Sequence, residues 1–425
     1  MLDPRALATR RDDILQSCER RRVDADVDAA VAAQECVAVA QTELNELNRR
    51  RNEHQKAGKL KLSPEEREEH VAQGRGLKEE VATVETRLTE AQATLSEALA
   101  GIPNFVHPDS PIGGEEDFRV LREVGEPPHF DFSPRDHLAL GEVLDLFDFE
   151  SGAKVAGQKF YYLKNDAVVL DMALQRYALD LVMAAGFTPY ITPDLARSSV
   201  VDAMAFSPRG PETQIYSLSN ADLDLIGTAE ITLGGLYLDT LVDEADLPIR
   251  MAGISHCYRT EAGSAGRESR GLYRVHQFSK VEMFAITRPE DSEAMHDELL
   301  ALEETIFQGL EIPYRVIDVA TGDLGAPAYR KFDIEAWMPG RGEGGAYGEI
   351  SSTSNCTDFQ ARRLRARYRR ADVKKNELVH TLNGTAIAVS RTMIPVLENH
   401  QRENGSIAIP KALQPYVGRE SFDPR

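Results

Sequence analysis

Two narrow apolar stripes of matched length dominate the amino-terminal part of the chain and leave little choice of fold there. From Asp26 onward, Ala30, Ala33, Val37, Ala40, Leu44 and Leu47 recur in alternating steps of three and four, the seam of a heptad pattern on one helix face. Val81, Val84, Leu88, Ala91, Leu95 and Ala98 repeat the pattern. Between them, Ser63-Pro64-Glu65-Glu66 combines a capping box with proline at the first helical position, a strong start signal. Joined by a short turn, the two stripes bury each other as an antiparallel helical hairpin, and about thirty helical residues reach roughly 45 Å. Asp3-Pro4 predicts a shorter helix ahead of the hairpin, ending near Arg22. Gly74 and Gly76 interrupt the first turns of the second long helix at about 1 kcal/mol each, which makes the base of the hairpin its stiffer half. The tip carries Arg49, Arg50, Arg51, Lys56, Lys59 and Lys61 against Glu53. A spacing or dimerising coiled coil fits this pattern, and so does an arm that grips a polyanion.

The rest of the 425 residues is long enough for one or two further domains with a large core. No run has the length of a membrane span, and the amino terminus lacks an apolar signal region. Cys18, Cys36, Cys257 and Cys356 lack zinc or disulfide spacing, so zinc is not expected and a reducing cytoplasm is. A net charge of −20 does not exclude nucleic acid, because local patches make the electrostatic footprint. Residues 104–135 read as an extended linker, rich in proline and glycine and without periodicity. It separates a helical arm (1–103) from a mixed domain (136–425).

Within that domain, YRTEAGSAGRESRGLYRVHQFSKVEMF (258–284) reads as strand, long cationic loop, strand, where a hairpin normally has a tight turn. Arg259, Arg267, Arg270 and Arg274 offer planar, permanently charged donors suited to phosphate or carboxylate. Glu261 and Glu282 can accept from an amino or hydroxyl group. A salt-bridged surface hairpin would also explain the composition. Ala167 to Ala185 is an amphipathic helix stopped by Gly186. A helix is predicted from Pro289 to Gln308, and strands over Tyr314–Val319 and Phe332–Met338, with Trp337 in the core. The basic run from Arg362 to Lys375 reads as a solvated helix and turn. Ile226-Gly-Thr-Ala-Glu230 reads as a helix start capped by Thr228, Glu349-Ile-Ser-Ser352 as a polar strand end, and Asn383 to Arg391 as a small-residue strand leading into a helix.

The order Arg259-x-Glu261, loop, Arg274-x-x-x-Phe278 resembles motif 2 of the class II aminoacyl-tRNA synthetases, in its seryl-tRNA synthetase form. Gly186-Phe187 through Pro193 is similar to motif 1, Asn383 to Arg391 to motif 3, and Thr228-Ala229-Glu230 and Glu349 through Arg363 to two further family segments. The resemblance covers nearly the whole chain. It implies an α+β fold: an antiparallel two-helix arm, then a class II domain with a mainly antiparallel sheet flanked by helices. It implies a homodimer built through motif 1 that activates L-serine with ATP and Mg2+ and loads serine tRNA, with selenocysteine tRNA a further acceptor. Around serine it implies Thr228, Ala229, Glu230, Arg259, Glu282 and Thr385. Around ATP it implies Arg259, Thr260, Glu261, Val275, Phe278, Glu349, Ile350, Ser351, Ser352 and Arg391, with Glu349 and Ser352 holding the metal. The six cations of the tip would hold tRNA. Thr260 and Thr385 stand where relatives often have serine, and both keep the hydroxyl.

Two rival readings are open. A serine-activating paralogue or antibiotic-resistant copy would be expected to lack the arm, which this chain keeps. A non-catalytic tRNA-binding protein would have lost Arg259, Glu349 or Arg391, and all three are present.

Overall fold

The computed structural model describes residues 1–59, 63–206, 214–262, 271–370 and 375–424; Lys61, Arg267, Arg270 and Lys374 lie outside them. The chain divides into two compact units, Met1–Phe105 and Val106–Arg425.

The first unit is the hairpin, helices α2 (Val27–Ala57) and α3 (Pro64–Ala100), preceded by α1 (Arg11–Arg20). The helix predicted from Asp3 is broken. Asp3 caps a single 3₁₀ turn, Pro4–Ala6, and α1 starts only after a bend at which Leu7 is fully buried. Asp26 caps α2, its carboxylate accepting from the Ala29 amide at 2.8 Å. The capping box of α3 is complete: Ser63 Oγ accepts from the Glu66 amide at 3.2 Å, and the Glu66 carboxylate accepts from the Ser63 amide at 2.7 Å. Ala40, Leu44 and Leu47 pack against Val81, Val84 and Leu88, with Val37 half-buried beside them. At the base, Leu99 rather than Ala98 is the buried residue.

Contrary to expectation, α3 runs unbroken through Gly74 and Gly76. His54 and His70 stack across the hairpin, ring centroids 3.6 Å apart. A Cβ on Gly74 would lie 3.0 Å from His54 Nε2, and one on Gly58 would lie 2.4 Å from His70 Nε2. Gly58 and Gly74 thus make room for imidazoles. The tip is also less cationic than its α2 segment suggests. Arg49 is paired with Glu46 (2.6 Å) and Glu53 (2.9 Å), and Arg50 reaches Glu80 on α3 at 3.6 Å. Antiparallel pairing brings the acidic first turn of α3, with Glu65 and Glu66, to the same end.

The second unit is built on an eight-stranded sheet. Its strands are β1 (Arg119–Val124), β2 (Thr188–Ile191), β3 (Ile249–Tyr258), β4 (Gln277–Thr287), β5 (Tyr314–Asp318), β6 (Arg330–Met338), β7 (Ala346–Thr357) and β8 (His380–Ala388). They lie in the order β1-β5-β6-β7-β8-β4-β3-β2, antiparallel except for β2 beside β3. Residues 104–135 are therefore not only a linker. Arg119–Val124 supplies an edge strand, where Arg119 meets Asp318 at 2.6 Å.

Alternation along β4 separates two faces. Val281, Met283 and Ala285 join the main core, which α4 (His137–Leu144), α5 (Asp166–Ala184), α7 (Ser292–Gly309) and α9 (Val389–Asn399) cover with Leu140, Leu170, Leu174, Leu299, Ile306 and Val396. Phe284 and Ile286 join a second cluster, with Ile231 and Leu233 of α6 (Glu230–Gly235) and Leu364 of α8 (Phe359–Leu364). At Lys280 and Glu282 that second face turns polar.

Two expectations are corrected. Trp337 is half-buried against Tyr347, ring centroids 5.3 Å apart, and is not among the fully buried core residues. The basic run is α8 followed by two antiparallel strands, Arg367–Arg370 and Lys375–Leu378. Its arginines meet acids: Arg362 with Asp358 at 2.6 Å, Arg369 with Asp243 at 3.4 Å, Arg370 with Glu377 at 3.2 Å, and Arg365 with Asp239.

Candidate active site

The site lies on the second face of the sheet, where β3, β4, β6, β7 and β8 carry polar side chains. Its cationic end begins just past β3. Arg259 continues the ladder, its amide donating to the His276 carbonyl at 3.0 Å. Its guanidinium lies 5.5 Å from the centre of the Phe278 ring and 5.8 Å from Phe206, a cation–π stack. The Thr260 amide donates to the Gln214 carbonyl (3.1 Å) and the Glu261 amide to Gln214 Oε1 (3.0 Å). Glu261 sits at φ +53°, a conformation uncommon for residues other than glycine. Arg274 reaches its carboxylate at 3.5 Å. Val275 is buried.

Arg391, in the first turn of α9, meets Glu349 Oε2 at 3.1 Å and lies 4.9 Å from the centre of the Tyr273 ring. Burial pushes the Glu349 carboxyl up, but Arg391, then Lys331 and Arg259, outweigh it and hold it at about 2. Its side chain is still 37% exposed, open to a ligand. Sheet register brings Glu349 and Ser352 to one face although they are three residues apart. The pairing with β6 skips Ile350, so Glu349 stands opposite Glu335 and Ser352 opposite Asp333. Partners two residues apart lie on one face, so the bulge puts Glu349 and Ser352 there as well. Ile350 is buried in the main core, and Ser351 Oγ donates to the Thr385 carbonyl at 2.6 Å. Only their backbones are left to a ligand.

The other end is a buried pocket. Lys280 Nζ meets Glu282 Oε2 at 2.6 Å and donates to Thr228 Oγ1 at 2.7 Å, and Thr385 Oγ1 donates to Glu282 Oε2 at 3.2 Å. Glu230 Oε1 accepts from Gln360 Nε2 at 2.6 Å and Asn383 Nδ2 at 3.0 Å. Burial, and then the Glu282 charge, push the Glu230 carboxyl up to about 7. Ala229 is fully buried. A Cβ on Gly253 would lie 2.7 Å from its methyl group, so only glycine lets the Thr228–Glu230 turn sit this close to β3.

The assigned residues thus form two neighbouring groups, a cationic one around Arg259, Glu261, Phe278, Glu349 and Arg391 and a pocket around Thr228, Glu230, Glu282 and Thr385. The arm residues belong to the first unit. Sequence reasoning passed over Gln214, Lys280, Lys331, Asp333 and Gln360. Lys280 had a signal, a lysine within an otherwise apolar strand two residues from a glutamate. Gln360 had none. A cavity of about 350 Å3, lined in part by Tyr161, Asp171, His256 and Ser279, shares only Phe278 with the assigned residues. His256 and Ser279 alternate to the opposite face from Glu282, and this cavity is not the site.

For a divalent cation, Glu349 and Ser352 offer two hard oxygens on one face. Among the described residues no group of three or more His, Cys, Asp or Glu side chains forms a metal cage. The donor set fits an ion completed by ligand oxygens rather than one enclosed by protein.

Activated carboxylate, phosphates and an amine are the ligands such a face can hold together, and the fold defines the class. Residues 216–400 match the model of the tRNA synthetase class II core domain shared by the G, H, P, S and T enzymes. Residues 1–106 match the seryl-tRNA synthetase N-terminal domain. The serine–tRNA ligase of Treponema denticola is 52% identical over 98% of this chain and 99% of its own length, and that of Rubrobacter xylanophilus is 52% identical over 100% and 99%. A seryl-tRNA synthetase from Pyrococcus horikoshii solved with ATP superposes with a TM-score of 0.90, at 37% identity and full coverage of both chains. The chain belongs to the seryl-tRNA synthetase family.

Proposed function

We propose that this chain activates L-serine with ATP and transfers it to serine tRNA, and that the residues gathered on the second face carry the first step. The observation that supports this most is the convergence of Arg259, Glu349 and Arg391 from three separate segments beside a buried pocket for a small polar amine. A decayed, non-catalytic relative would not keep all three.

In the first step a serine carboxylate oxygen attacks the α-phosphorus of ATP, the bond to the bridging oxygen breaks, and pyrophosphate leaves. Such a transfer needs positioning and charge neutralisation more than a protein nucleophile. Arg259 neutralises the α-phosphate and steers the serine carboxylate, and Arg391 takes the γ-phosphate. Phe278 stacks on adenine, whose amino group donates to Glu261. Val275, Thr260, Ile350 and Ser351 contribute backbone. Glu349 and Ser352 would hold Mg2+, which would supply positive charge to offset that of the phosphates. Thr228, Glu230, Glu282 and Thr385 receive the serine ammonium and hydroxyl. Alanine is rejected because acceptors built for the hydroxyl would be left unpaired. In the second step a terminal ribose hydroxyl of the tRNA attacks the seryl carbonyl and AMP leaves.

The arm serves tRNA, with Arg51, Lys56 and Lys59 the described cations of its tip least engaged by acids and the acid-paired Arg49 and Arg50 secondary. A homodimer through motif 1 is supported by the exposed apolar side chains of α5, β2 and their surroundings. Met172 is 67% and Ile191 86% exposed, as expected of a surface that a second copy covers. No helix among the described residues is long and apolar enough to cross a membrane, and a cytoplasmic location fits the four free cysteines. Serine-dependent pyrophosphate exchange, measured beside charging of serine tRNA, tests the proposal. Exchange without charging would favour the paralogue, and neither would favour a binding protein.

A further inference from the structure

Gln360 is fully buried at the start of α8, carries none of the roles assigned from the family resemblance, and yet reaches into the serine pocket. Its orientation is fixed. Gln360 Oε1 accepts from Thr381 Oγ1 at 2.6 Å, and because the Met204 carbonyl can only accept, the amide nitrogen must turn towards it. There it donates to Glu230 Oε1 at 2.6 Å and to the Met204 carbonyl at 3.1 Å. Asn383 on β8 meets the same carboxylate oxygen, which leaves Oε2 for a ligand. We propose that Gln360, held by Thr381 and the Met204 carbonyl, is the positioning residue that aims the Glu230 carboxylate at the serine ammonium, and so sets the affinity for serine. This rests on Glu230 being a serine ligand.

Charges facing Glu230 come from β4. Glu282 disfavours its ionised form and Lys280 favours it, while the two amides, on α8 and β8, also favour it. Burial dominates, so each donor to the carboxylate counts. A purely structural glutamine would behave differently when removed. It would lower activity equally at every pH.

The test is serine-dependent pyrophosphate exchange between about pH 6 and about pH 9 on full-length wild type, Gln360→Met, Thr381→Val and Glu230→Gln. Gln360→Met keeps the shape and loses the donor. It should raise KM for serine roughly tenfold near neutral pH, spare kcat and KM for ATP, and approach wild type as the pH rises. Thr381→Val should do the same more weakly, and it decides the matter if Gln360→Met does not fold. A loss independent of pH, or one in kcat alone, overturns the proposal. Glu230→Gln separates the two claims: if it leaves KM for serine unchanged, the assignment of Glu230 fails. If it raises KM while neither Gln360→Met nor Thr381→Val does, only the role of Gln360 fails.

Discussion

Glu230 shows how a binding site can cost stability. Its carboxyl titrates at about 7 in the folded protein against an ordinary 4.5. The native state therefore keeps a proton that the unfolded chain has released, and stability is lost as pH rises from 4.5 to 7, by ~3 kcal/mol at most. Glu230→Gln removes that dependence. The variant should melt higher than wild type above pH 7 by calorimetry while needing far more serine. Equal melting profiles across that range would refute the burial argument. Arg391 is the opposite case, since its charge is needed by both Glu349 and a phosphate. Arg391→Ala should lower pyrophosphate exchange by about a hundredfold or more with near-native circular dichroism. Activity close to wild type would remove Arg391 from the site. Both residues stand in segments whose resemblance was plain from the sequence. The state of Glu230 was not, because its pKa depends on burial and on Glu282, Lys280, Gln360 and Asn383, brought in from three other elements.

At the scale of elements, close approach sets the demands. The Thr228–Glu230 turn rests on β3 at Gly253, where a methyl group would meet Ala229 at 2.7 Å and Leu233 at 3.1 Å. Gly253→Ala should destabilise by ~1–3 kcal/mol and raise KM for serine more than KM for ATP, because the pocket side must shift. An equal rise in both would mean the turn does not serve serine alone. Helix α7 gives a pH signature of its own. His296 stacks on Phe332 and its Nε2 lies 3.1 Å from the Thr353 carbonyl. Burial lowers its pKa to about 4. The unfolded chain takes a proton first, so stability is lost as pH falls from about 6.5 towards 4, by ~3 kcal/mol. In urea melts, His296→Gln should lose less stability over that interval than wild type, and an unchanged acid loss would put the source elsewhere. Helix starts at Asp26 and Ser63 were readable because a cap is a local contact. Strand β1 and the pair after α8 were not, because Arg119–Val124 and Arg367–Arg370 become strands only by pairing with distant chain.

For the molecule as a whole, the chain divides at Phe105, and the proposed function assigns tRNA capture to the first unit and adenylation to the second. Replacing residues 30–98 by a short linker should leave serine-dependent pyrophosphate exchange within about twofold while raising KM for serine tRNA by orders of magnitude, since the phosphate contacts of the arm are lost. Lys56→Gln with Lys59→Gln should weaken charging and flatten its salt dependence. Arg49→Gln should do less, because Arg49 is already held by Glu46 and Glu53. Normal charging by the deleted form would make the arm a spacer.

The sequence alone determined what depends on neighbours in the chain: the paired heptad stripes, the caps, and motifs whose residue types match phosphate and carboxylate. Tertiary structure alone decided the rest. It set the skipped register at Ile350 that places Glu349 and Ser352 on one face, and the pairing of Arg50 with Glu80 that tempers the tip. It also aimed the Gln360 amide at Glu230. Each depends on segments far apart in the chain, and sheet register, burial and charge neutralisation are properties of the partners as much as of the residue itself.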